Sequence, residues 1–152
     1  MELRPHHVLD IVSAHGHDAE FKAHPYGHAV HSVAEALLND PGLEIEFIVG
    51  ADEICTPCVH LQADGQCDDM LNNLDPPVSK QTYNDCLDRR LFEYLGLATG
   101  ETMTFRQYLE IVSSKTPGLE EICSHPGEDR SRRLAGLVRG LRKLGVEVGE
   151  PG

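Results

Sequence analysis

Three cysteines fall within thirteen residues, in Cys55-Thr56-Pro57-Cys58-Val59-His60-Leu61-Gln62-Ala63-Asp64-Gly65-Gln66-Cys67. This C-x2-C-x8-C loop constrains the chain more than any other stretch. Two thiolates three residues apart can grip one metal or cluster from a single tight turn. Pro57 and Gly65 supply the bends that return the third sulfur toward the first two. Three sulfurs do not close a tetrahedral site, so a fourth donor must come from elsewhere. The candidates are Cys86, Cys123, His60 and His125.

An odd total of five cysteines, three of them crowded together, favours metal ligation over disulfides in a reducing compartment. Cys86 stands beside Leu87 in a helical pattern and reads as a small hydrophobe. Cys123 precedes His125-Pro126-Gly127 in a loop-like context suited to a ligand. Three close cysteines plus one remote one is a supply scheme for a 4Fe-4S cubane. Structural zinc more often uses two paired knuckles, and this chain has a single C-x2-C, so zinc is the alternative cofactor.

The histidines are the second anomaly. Seven of nine lie within residues 1–31: His6, His7, His15, His17, His24, His28 and His31. His28 and His31 would form an i, i+3 pair on a helix from Tyr26 to Asn39. Adjacent histidines on a helix diverge by about 100°, so His6 and His7 rarely bind one ion together. One of them near the cysteine loop, as ligand or hydrogen-bond donor, is easier to build.

At 152 residues there is room for one core, and the expectation is a single domain over residues 1–152. A formal charge of −12 argues against nonspecific binding to nucleic acid or anionic membrane. No apolar run approaches the ~20 residues of a membrane span, and no signal-peptide hydrophobic region leads the chain. A cytoplasmic location follows as the expectation. Residues 124–152 hold six basic and four acidic residues, and the remainder is strongly acidic. The basic helix expected over about 129–144 would dock on the acidic body, within one chain or across a homo-oligomer.

Periodicity predicts a mainly α fold, α+β with a minor short strand element. Helices are expected from Pro5 to Ala14, over 26–39, over 79–95 with Gly96 as its terminator, after Thr104, briefly after Pro117, and after Asp129. Leu43 to Val49 alternates apolar and acidic residues as a half-buried strand. No Gly-rich phosphate loop, nucleophile elbow or H-E-x-x-H is present.

Leu3-Arg4-Pro5-His6-His7-Val8-Leu9, Asp52 to Leu61 with Gly65-Gln66-Cys67, Leu95 to Gly100, and Leu119-Glu120-Glu121-Ile122-Cys123 occur in that order. Together they resemble the prokaryotic family catalogued as domain of unknown function 1284, whose members are described as iron–sulfur binding. The resemblance covers residues 2–125. It implies a cluster on Cys55, Cys58, Cys67 and Cys123, with His6 and His7 as family-marked positions. Members often carry a cysteine where this chain has Asp10, and another where it has Pro126, which leaves cysteines for one cluster.

Three functions compete on these residues. One is a cluster protein in electron transfer or redox sensing, working with a redox partner protein. Another is a zinc-stapled interaction module. The third is a metalloenzyme using His6 or His7, with the cysteine site structural.

Overall fold

A computed structural model describes residues 1–148, so the last four residues of the expected domain lie outside the described residues. Strand β1 (Glu2–Leu3) leads directly into helix α1 (Pro5–Gly16), with Pro5 at the helix start, where its missing N–H costs nothing. Val8, Leu9, Ile11 and Val12 of α1 are all buried. Burying each such side chain is worth roughly 1.5–3 kcal/mol. Their main partner is α6 (Arg130–Lys143), which closes the C-terminal side of the molecule and buries Leu137 and Leu141.

The two helices approach unusually closely. A Cβ on Gly16 would overlap the Gly136 carbonyl, and a Cβ on Gly140 would overlap the Val12 carbonyl. Glycine at these two positions, 16 and 140, is therefore what lets the backbones touch.

Helix α2 spans Val30–Asn39, strand β2 Glu44–Phe47 and strand β5 Thr102–Thr104. The sheet order is β1-β2-β5, with β1 parallel and β5 antiparallel to the central strand. Leu3 pairs with Phe47, and Ile45 with Met103. The apolar–acidic alternation reads out as expected: Ile45 and Phe47 are buried and Glu44 is exposed. Phe47 packs against Tyr108 with the rings tilted by 34° and 4.4 Å between centroids, joining the sheet to α4 (Phe105–Ser114). Thr104 Oγ1 accepts from Gln107 N–H, and Gln107 Oε1 accepts from Thr104 N–H, completing the anticipated capping box.

A small hairpin of β3 (Met70–Leu71) and β4 (Val78–Ser79) precedes α3 (Lys80–Leu95). Gly96 ends α3 at φ 70°, a left-handed position that glycine takes without strain. The short α5 (Glu120–Cys123) then leads to α6, capped by Asp129. The fold is mainly α with short strands, as the sequence indicates.

Three expectations need correction. The second helix starts at Val30 and not at Tyr26, because Gly27 sits at φ 78° and turns the chain. His28 therefore lies before the helix, and the anticipated His28–His31 helical pair does not form. Cys86, read as a small core hydrophobe, is exposed on α3. Strands β1, β3, β4 and β5 are only two or three residues long, too short to leave a period in the sequence.

Candidate metal centre

The parallel pairing of β1 with β2 sets the site. It brings the start of α1 alongside the segment that follows β2, where the cysteine loop begins. Asp52 is the joint between them. Its Oδ2 accepts from the Arg4 backbone N–H at 2.8 Å and bonds His7 Nδ1 at 2.7 Å. Its Oδ1 accepts from the backbone N–H groups of Ile54 and Cys55, at 3.0 and 3.2 Å. One buried carboxylate thus shapes the first turn of the loop and orients an imidazole from another element.

Beyond this joint lies a cavity of about 340 Å³. Cys55, Cys58 and Cys67 all line it, and so do His6, His7, His28, His60 and His125. The structure therefore gathers the three loop cysteines and the three nominated histidines, His6, His7 and His60, around one space. Cys123 is placed elsewhere. It is fully buried and outside the cavity lining, and its Sγ receives Arg133 Nε at 3.4 Å.

Four of the cavity histidines share one device. His6 Nδ1 is 2.9 Å from Asp88, His7 Nδ1 2.7 Å from Asp52, and His60 Nδ1 2.8 Å from Asp68. His125 Nε2 is 3.0 Å from Asp10. A carboxylate on one ring nitrogen fixes the ring and leaves the other nitrogen available, as behind metal-bound histidines. These aspartates are 8 to 115 residues away from their histidines in sequence, and nothing in the sequence pairs Asp52, Asp68 or Asp88 with a histidine.

The titration shifts follow from crowding of charge at low exposure. Burial opposes ionisation of Asp52, but the charge and hydrogen bond of His7 outweigh it and hold the carboxyl at about 2. Burial works against protonation of His7 too, and Asp52 overrides it and raises His7. His6 goes down, because burial and repulsion from His7 exceed the pull of Asp88. The Cys55 thiol is pushed up to about 12 by burial and by the neighbouring Asp52 charge. Only a nearby cation would make a thiolate comfortable there.

A ring nitrogen of His7, a carboxylate oxygen of Asp52 and Cys55 Sγ lie within 4.8 Å of one another. Among the described residues this is the one set of three such donors already at the spacing of a single ion. A nitrogen, oxygen and sulfur set of this kind suits a borderline divalent metal. The fold thus presents a site able to hold a metal.

Comparison with known proteins agrees on kinship and leaves the chemistry open. Residues 23–126 match a family described as "Protein of unknown function (DUF1284)". The chain belongs to that family. The matched span contains the cysteine loop and Cys123, while His6 and His7 precede it. No curated protein and no solved structure matches the chain. Among the described residues no helix is long and apolar enough to cross a membrane.

Proposed function

We propose that this protein carries a metal centre in the cavity, held by Cys55, Cys58 and Cys67 and completed by His7. The observation that carries the reading is the convergence of all three loop cysteines on a cavity ringed with carboxylate-backed histidines. His7 takes the place that the family resemblance gives to Cys123. Its ring reaches single-ion distance of Cys55, whereas Cys123 lies in the core with Arg133 against its sulfur.

The centre we favour is an iron–sulfur cluster. Of the three thiols, only Cys55 belongs to the set already at single-ion spacing. In a cubane each thiolate binds a different iron, so its sulfurs stand farther apart than the ligands of one ion. A loop that spreads three sulfurs around a 340 Å³ cavity suits that demand. A cluster there supplies a one-electron couple, and the chain's role is then electron transfer or redox sensing with a partner protein. Burial and the hydrogen-bonded imidazoles would tune its potential.

A second reading rests on the His7–Asp52–Cys55 set itself. Its compactness favours a single zinc, which would staple the loop to the start of α1 and stabilise the fold.

Anaerobic purification followed by an absorption spectrum and analysis for iron, zinc and acid-labile sulfide separates the two. Broad visible absorption with iron and sulfide supports the cluster. A colourless protein holding stoichiometric zinc replaces it with the stapled module. A protein that binds neither overturns both.

A further inference from the structure

We infer that His6, Asp10 and His125 form a second metal site, a two-histidine, one-carboxylate set for a divalent first-row transition ion such as iron(II) or zinc. This site uses no residue of the cysteine centre and stands or falls separately from it.

His6 and Asp10 are four residues apart on α1, so they project from one face of the helix one turn apart. His125 arrives from the opposite side, in the loop between α5 and α6. Its Nε2 bonds Asp10 Oδ1 at 3.0 Å, and its ring centroid is 6.2 Å from that of His6. All three side chains line the same cavity.

His6 is the telling residue. It is only 2 % exposed, and Asp88 occupies its Nδ1. Among the described residues its Nε2 makes no hydrogen bond, and that atom is not sealed in protein as His28 Nδ1 and His31 Nδ1 are. A nitrogen left unpaired on a buried, carboxylate-held ring opens into the cavity as a lone-pair donor.

Of the carboxylates near this wall, Asp85 and Asp88 pair with Arg4 behind it, and Asp10 alone lines the cavity. The rival account makes Asp10 merely the partner of Arg133, at 2.7 Å. Arg133 and His125 both engage Oδ1, however, which leaves Oδ2 without a hydrogen bond among the described residues. Donors of this hardness suit iron(II), zinc or manganese, whereas the cysteine loop selects softer metals, so the two neighbouring sites would sort different ions. Ion entry replaces the His125–Asp10 hydrogen bond, a side-chain rotation that draws three donors to bonding distance.

Cobalt(II) is the probe that tells the sites apart. Thiolate ligation gives intense near-ultraviolet sulfur-to-cobalt charge transfer, and nitrogen–oxygen ligation gives only weak visible bands. The full-length metal-free protein, titrated anaerobically, should bind two cobalt ions per chain. In Cys55→Ser/Cys58→Ser/Cys67→Ser the charge transfer should vanish while one ion persists with weak bands alone. Adding His125→Ala should loosen that ion by about tenfold or more. His125 is part-exposed and its removal leaves the Asp10–Arg133 pair in place, so the fold should survive. One cobalt per chain in the wild type, bound wholly through thiolate, overturns the proposal. So does a weak-band ion indifferent to His125→Ala. Should that variant not fold, the wild-type count decides alone. Failure of the cysteine centre reads differently, as a wild type with no charge transfer at any cobalt ratio.

Discussion

Asp52 and His7 are joined by a 2.7 Å hydrogen bond across 45 residues of sequence, and the same carboxylate accepts the N–H of Cys55. Two donors of the candidate centre are therefore positioned by one buried group. Asp52→Asn keeps the shape but weakens the hold on both. We expect metal affinity to fall by about 10–100-fold, the usual cost of losing a partner behind a ligand. Competition against a calibrated chelator measures it, and unchanged affinity would detach Asp52 from the site.

That joint could not be read from the sequence, and the reason is physical. The cysteine loop announces itself because its ligands lie within one short loop. The His7–Asp52 pair exists only because β1 aligns in parallel with β2, and β1 has two residues, too few to show a period. Arg133 presents the same difficulty. It reads as one more charge on a basic helix, yet it is buried against Asp10, 123 residues away, and against Cys123. Three more charges of the basic helix dock on acidic partners, Arg139 and Lys143 on Asp18 and Arg130 on Glu121. Helices α3 and α4 were legible because an apolar stripe agrees locally with a terminating Gly96 in the one and a Thr104 cap in the other.

Cys123→Ser tests the fourth ligand. With His7 in that role, the variant should retain the visible absorbance and metal content of the centre. It should lose about 1 kcal/mol or more of stability, since a hydroxyl replaces a buried thiol beside Arg133. Cys86→Ser, on an exposed helix face, should change neither. Absorbance lost in Cys123→Ser at unchanged iron loading of Cys86→Ser would return the ligand role to Cys123.

Acid should destabilise the metal-free protein through Asp52. Its carboxyl sits at about 2 in the folded chain against 3.8 when unfolded. Between those values the unfolded state binds more protons, so stability rises with pH there. The contribution is complete above pH 3.8 and lost as pH falls through about 2, amounting to roughly 2 kcal/mol at 1.36 kcal/mol per unit. His7 acts in the opposite sense: its raised value contributes stability at low pH that fades as pH climbs above 6.5. Urea unfolding at stepped pH, compared with Asp52→Asn, should show the acid slope reduced in the variant. Equal slopes would place the proton elsewhere.

The α1–α6 contact gives a prediction independent of any metal. In an open helix, Gly140→Ala should stabilise by about 1 kcal/mol from helix propensity. Here the new methyl meets the Val12 carbonyl, whose position is set by α1 itself, so backbone must move. Overpacking of this kind typically costs about 1–3 kcal/mol, enough to reverse the sign. Gly16→Ala, directed at the Gly136 carbonyl, should behave alike. Thermal melts should place both variants below the wild type, while the folded fraction keeps its metal, because neither glycine lines the cavity. A melting temperature raised by Gly140→Ala would mean that the helices do not touch at this point and that α6 sits farther from α1.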